Sequence, residues 1–211
     1  QPDYAEAHNN LGLTLQKLDQ LDAAVESYKK ALAVDPDYAE VNYNLGLALQ
    51  ELNQLDDAVK SYEKAIAIQP DYVEAHNNLG NVLKDFGQLD AAVKSYEKAI
   101  ATQPDYVEAH NNLGNAFKKL GQLDDAIKSY EKALAIKPDY ADPYNNLGSI
   151  FMELGQLDDA VKSYKKALAL KPNYAEAHNN LGNAFKELGQ LDDAVKSYEK
   201  ALDLKPDDAE T

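Results

Sequence analysis

Apolar residues return every three or four positions along this chain, and the pattern breaks at regular places. Within residues 107–140 they fall at Ala109, Leu113, Ala116, Phe117 and Leu120, then at Leu123, Ala126, Ile127, Tyr130, Ala133 and Leu134. That spacing predicts two amphipathic α-helices in a row. Gly121 lies between them, where the end of a helix favours a left-handed residue, and Gly87, Gly155 and Gly189 stand at the matching places. Asp19 and Asn53 hold that place earlier in the chain, and these are residue types that tolerate the conformation. Asp124 and Asp125 open the second helix, where negative charge suits the positive end of the helix dipole. Pro138 stops it, and Asp139 followed by Tyr140, Ala141 and Asp142 predicts an Asp N-cap with an acidic residue three places on.

The two-helix pattern repeats. Pro2, Pro36, Pro70, Pro104, Pro138, Pro172 and Pro206 are each 34 residues apart, with only Pro143 outside the series. Such spacing means an array of equal units, at 5–38, 39–72, 73–106, 107–140, 141–174 and 175–208, with 209–211 starting a truncated seventh. Units four and six share 28 of 34 residues, which points to recent duplication or to consensus design. A single helix pair cannot bury its apolar face alone, so the pairs must stack, and one domain over 1–211 is expected.

Leu11, Gly12, Ala24, Ala31 and Pro36 recur in all six units. With His8-x-x-Leu11-Gly12-x-x-Leu15 and Ala24-x-x-x-Tyr28, they resemble the signature of the tetratricopeptide repeat family over nearly the whole chain. The sequence departs from it where the family often carries Trp, with His8, Asn42, His76, His110, Tyr144 and His178 there instead. The resemblance implies an all-α, right-handed superhelical solenoid of six helix-turn-helix repeats whose first helices line the concave side. Gly12 and Ala24 are small where the two helices of a pair approach closely, and Leu and Tyr fill the space between pairs.

Composition and charge narrow the function. The net charge is −15, from 36 acidic against 21 basic residues, which repels phosphate backbones and anionic lipid headgroups, so neither nucleic acid nor a membrane surface is expected as partner. Absence of Cys removes thiolate chemistry, disulfides and Cys-ligated zinc. All 21 basic residues are Lys, so guanidinium recognition of carboxylate or phosphate is excluded. No apolar stretch approaches the roughly 18 residues needed to span a bilayer. The chain opens on Gln1 without a signal-peptide pattern and reads as an excised or processed piece, soluble and cytoplasmic by expectation.

Candidate chemistry mostly dissolves into structure. His8, His76, His110 and His178 are whole repeats apart, about 10 Å or more when helices stack, while zinc ligands each lie about 2 Å from the metal; they read as structural, and neither metal nor cofactor is expected. Ser27, Ser61, Ser95, Ser129, Ser163 and Ser197 lack a nearby base and read as exposed helix surface. Most of the 14 tyrosines are repeat equivalents of Tyr28 and Tyr38 and read as packing residues. Glu131, Lys132 and their equivalents read as a solvated outer face. No phosphate-binding glycine loop occurs. Catalysis is therefore not expected.

Asparagine stands out. Asn9/Asn10, Asn77/Asn78, Asn111/Asn112, Asn145/Asn146 and Asn179/Asn180 occupy one place in the first helices, with Tyr43/Asn44 in unit two. Asn is a mediocre helix former, so its recurrence calls for a reason. In one reading the amides tie each first helix to its neighbour or are inherited copies; in the other, one amide per repeat faces a groove and pairs with a peptide backbone. An advance of about 10 Å per repeat matches roughly three residues of extended chain.

The Asn-Leu-Gly and Gly-Gln-Leu elements resemble the repeats of O-linked N-acetylglucosamine transferases. That resemblance implies a backbone-gripping ladder of Asn10, Asn44, Asn78, Asn112, Asn146 and Asn180. It also implies acidic companions four residues earlier at Glu6, Glu40, Glu74, Glu108, Asp142 and Glu176, of which only Asp142 keeps the Asp of the family. The i,i+4 spacing puts each acid on the helix face of its Asn. A carboxylate clamp, known from another branch of the family, lacks its basic residues here, although Lys84, Lys118, Lys119 and Lys186 could steer an acidic segment. The expected function is a scaffold holding an extended peptide or protein segment, with a substrate-presenting region of a larger transferase as one alternative. The other is end-to-end association of copies through terminal residues such as Leu191, Val195 and Leu202.

Overall fold

The computed structural model describes residues 2–204. Pro206 and the short seventh unit at 209–211 lie outside them. Twelve α-helices run in consecutive pairs, with no strand among the described residues: α1 (Pro2–Lys17), α2 (Leu21–Val34), α3 (Ala39–Glu51), α4 (Leu55–Ile68), α5 (Val73–Asp85), α6 (Leu89–Thr102), α7 (Val107–Lys119), α8 (Leu123–Ile136), α9 (Ala141–Glu153), α10 (Leu157–Leu170), α11 (Ala175–Glu187) and α12 (Leu191–Leu204). No described helix is long and apolar enough to cross a membrane. The chain divides into two compact units, 1–112 and 113–211.

The turn inside each pair follows the glycine pattern. Gly87, Gly121, Gly155 and Gly189 have φ between 70° and 74°, and Asp19 and Asn53 reach 58°. The next residue's N–H closes back five residues, as in Gln20 to Leu15 O at 2.9 Å and Gln54 to Leu49 O at 2.8 Å, which satisfies a helix-terminal carbonyl. At helix N-termini the structure corrects the sequence reading. The residue before α3, α5, α9 and α11 is Tyr38, Tyr72, Tyr140 and Tyr174, and none makes a side-chain cap bond. The Pro-Asp turn brings the tyrosine, one residue past the Asp, to the boundary. It also buries part of its ring there, so apolar contact replaces capping.

Within each pair one contact dominates. A Cβ built on Gly12, Gly46, Gly80, Gly114, Gly148 or Gly182 would lie 2.5–2.6 Å from Cε1 of Tyr28, Tyr62, Tyr96, Tyr130, Tyr164 or Tyr198 respectively. The first helix therefore lies flat on a tyrosine ring only because it has no side chain there. In unit 1–112, Ala24, Tyr28, Val41, Leu45, Ala48, Leu49 and Tyr62 form a buried cluster linking successive pairs, and Val73, Ala99 and Ala109 another. In unit 113–211, Tyr130 packs with Leu147 and Ile150, and Tyr164 with Leu181, Ala184 and Phe185. First helices of neighbouring pairs also touch, α1 against α3 in one unit and α9 against α11 in the other.

Candidate functional site

The ladder residues sit midway along the first helices, and most use an amide hydrogen to reach the preceding one. In unit 1–112, Asn44 Nδ2 donates to Asn9 Oδ1 at 3.1 Å, Asn78 Nδ2 to the Tyr43 hydroxyl at 3.1 Å, and Asn112 Nδ2 to Asn77 Oδ1 at 3.0 Å. In unit 113–211, Asn146 Nδ2 donates to Asn115 Oδ1 at 3.0 Å and Asn180 Nδ2 to Asn145 Oδ1 at 3.1 Å. Asn10 is exposed, Asn44 is buried, and Asn78, Asn112, Asn146 and Asn180 are half-buried. The tie to the neighbouring helix is thus real, and each such bond uses one of the two hydrogens on the amide nitrogen.

One turn earlier, Glu6, Glu40, Glu74, Glu108 and Glu176 are exposed and Asp142 is half-buried. Glu176 Oε1 accepts from Asn145 Nδ2 at 3.2 Å. Each carboxylate stands with the amide of its own helix on one face, by the four-residue spacing.

Sequence reading treated each Asn-Asn pair as one feature, and the structure separates the two residues. Asn9, Asn77 and Asn145 are buried acceptors for the amide of the next repeat. Tyr43 replaces this acceptor in the second repeat through its hydroxyl. The pair tyrosines also need partners, and the chain uses two solutions. Where the first helix carries Asn81, Asn115 or Asn183, its Oδ1 accepts from the Tyr96, Tyr130 or Tyr198 hydroxyl at 2.7–2.8 Å. Where Leu13 or Leu47 stands at that position, Gln16 or Gln50 three residues on accepts instead, from Tyr28 at 3.0 Å and Tyr62 at 2.9 Å. The signal was present in the sequence as a Leu/Gln versus Asn/Lys alternation, but only the ring position explains it.

Other candidates resolve locally. His76, His110 and His178 place Nε2 2.9 Å from the carbonyls of Pro70, Pro104 and Pro172, tying the inter-repeat turn to the helix that follows. The serines contradict their reading as exposed surface: Ser27, Ser61, Ser95, Ser129 and Ser197 are buried and Ser163 is half-buried. Their hydroxyls turn back on the helix, as Ser61 to Asp57 O at 2.9 Å and Ser129 to Asp125 O at 2.8 Å, so burial carries no polar penalty. Lys118 Nζ reaches Ser149 Oγ at 2.5 Å and lies 3.6 Å from Glu153. Two open clefts of about 230 and 270 Å³ lie against α6 and α10 and are flanked by lysines. Leu191, Val195 and Leu202 are 62%, 53% and 56% exposed.

The tyrosines at the first-helix N-termini form a second row. Burial, the Tyr43 ring and the carboxylates of Glu40 and Glu74 all push the Tyr72 phenol well above its usual range. Tyr106 is pushed up to about 12 by burial and then by Glu108 and Glu74. Tyr174 is raised by burial and by Asp142 and Glu176. Tyr43 stacks on Tyr72 at 4.9 Å between centroids and fixes the ring.

Comparison with protein families finds a model described as TPR repeat over residues 17–53, 50–85, 81–121, 114–155 and 148–189, and one described as tetratricopeptide repeat over 175–208. Comparison with curated proteins finds no match. Among solved structures the chain is similar to MamA, at 29% identity and a TM-score of 0.69 over 79% of this chain and 98% of that one. It shares its fold with YrrB, described as a TPR protein with an unusual peptide-binding site (23% identity, TM-score 0.67, 87% of this chain and 94% of that one). PilF of Pseudomonas aeruginosa has the same fold at 19% identity, with a TM-score of 0.83 over 97% of this chain and 93% of that one.

Proposed function

The chain belongs to the tetratricopeptide repeat family, and from that premise we propose that it is a protein-interaction scaffold whose first helices hold an extended peptide segment. The observation that carries this reading is the half-buried amide recurring once per helix pair, with an acidic side chain one turn before it. A bond to the preceding first helix fixes the orientation of Asn78, Asn112, Asn146 and Asn180. Side-chain entropy is then already lost before a partner arrives, and the second amide hydrogen serves the peptide carbonyl at small further cost. Because every repeat offers a similar small contact, affinity is the sum over repeats and tolerates sequence variation. The peptide-binding site described for YrrB, on the same fold, supports the same use of the repeats.

A peptide array probed with the chain and with an Asn78→Ala, Asn112→Ala, Asn146→Ala variant tests the proposal. Each hydrogen bond contributes about 1 kcal/mol net, so loss of three should weaken bound spots at least tenfold. Circular dichroism establishes that the variant is folded at the assay temperature. Undiminished binding by the folded variant sinks the amide row.

A further inference from the structure

The turn between repeats is built the same way throughout, which makes a difference among its side chains informative. Gln69 and Gln103 have φ, ψ of −124°, 92° and −129°, 93°, and Lys137 and Lys171 have −129°, 89° and −132°, 84°. In each turn the carbonyl of this residue accepts the N–H of the tyrosine three places on, at 3.1–3.3 Å. In unit 113–211 the side chain at this place is a lysine, and its ammonium sits over the ring: Lys171 Nζ is 4.4 Å from the Tyr174 centroid and Lys137 Nζ 5.5 Å from that of Tyr140. Asp142 and Glu176 act on the same Tyr174 ring, so aromatic face, carboxylates and cation come together.

Unit 1–112 carries the ring and the carboxylates but glutamine in place of the cation. Tyr72 feels Glu40 and Glu74, and Tyr106 feels Glu74 and Glu108, with Gln69 and Gln103 at the lysine's place. The three glutamates are exposed and have no ion-pair partner among the described residues. We propose that Tyr72 with Glu40 and Glu74, and Tyr106 with Glu74 and Glu108, are two successive subsites for lysine or arginine side chains of an extended basic segment. This rests on the scaffold reading and adds the partner's chemistry to it.

The spacing selects the partner's backbone. Neighbouring helices pack about 8–10 Å apart. A polyproline II segment rises about 3.1 Å per residue with three residues per turn, so side chains on one face return every 9.3 Å or so. A β-strand returns to one face about every 6.6 Å, which misses that step. The subsites therefore read a cation at every third residue of a polyproline-like segment.

The test uses the full chain and three fluorescent peptides of equal charge and length, with lysine at every second, third or fourth residue among prolines. The every-third peptide should bind at least tenfold more tightly than the others. A Gln69→Lys, Gln103→Lys variant, which supplies the cations in cis, should lose at least tenfold of that affinity. A Glu63→Gln, Glu97→Gln variant makes the same change in net charge on the exposed second-helix surface and should lose under twofold. Equal loss in both variants, or indifference to lysine spacing, overturns the subsites. If the array peptides still bind through the amide row in that event, the scaffold reading survives; if no peptide binds at all, both fall.

Discussion

Asn77 and Asn78 are neighbours in sequence and serve different helices. Asn77 is buried and accepts from Asn112 of the following repeat, while Asn78 donates to Tyr43 of the preceding one. A helix turns 100° per residue, so two adjacent amides point to different neighbours, and each inter-repeat contact gains a polar bond within an apolar surround. Asn77→Ala leaves the Asn112 amide without its acceptor and opens a small void. It should cost about 1–3 kcal/mol of unfolding free energy, whereas Asn10→Ala, at an exposed site, should cost under about 0.5. Urea denaturation of both variants checks the difference, and equal midpoints would contradict the assigned roles. That Asn recurs was legible in the sequence. Which of each pair is buried was not, because the two differ only in which neighbour the helix rotation presents them to.

At the scale of the element, helix ends were readable and helix starts were not. The left-handed residue after each first helix is a backbone requirement, and Gly, Asn and Asp meet it from their own chemistry. At Gly87 a Cβ meets nothing within 4 Å, so a substitution there feels only the backbone. Gly87→Ala should therefore lower stability by about 1–2 kcal/mol, and Gly87→Asn by less, following Asn53 at the same place in the second repeat. Thermal melts of the two variants give the order, and an alanine variant as stable as wild type would refute it. Gly80→Ala would act by another route, since its Cβ meets the Tyr96 ring at 2.6 Å. The starts misled because an acidic residue after proline has the form of a cap, while the turn puts a tyrosine at the boundary and packs it.

Over the whole molecule the buried tyrosines set the alkaline limit. Tyr28 is pushed up to about 12, first by burial and then by Glu51 and Glu40, and Tyr106 likewise reaches about 12. Burial raises Tyr62, Tyr96, Tyr130 and Tyr164 further. A folded pKa above the unfolded value of 10 means that the native state holds its protons longer. The stabilisation is complete below pH 10 and falls as pH rises through 12, by about 1.4 kcal/mol per pH unit for each such tyrosine. Helical ellipticity should therefore be lost between pH 10 and 12 together with the rise of phenolate absorbance. Phenolate formation centred near pH 10 with the helices intact would mean that these hydroxyls are open to solvent.

The sequence alone determined the helix pairs, their period of 34 residues and the turns that join them, because spacing of apolar residues and backbone tolerance of Gly, Asn, Asp and Pro are local properties. It also made the Gly-to-Tyr contact readable as a need for a small residue. Tertiary structure alone decided which amide faces which helix, why Gln16 and Gln50 replace Asn81 and Asn115, and that the serines turn inward. Those outcomes depend on the angle at which one helix meets another, and a polar side chain looks the same in sequence whether water or a neighbouring repeat completes its hydrogen bonds.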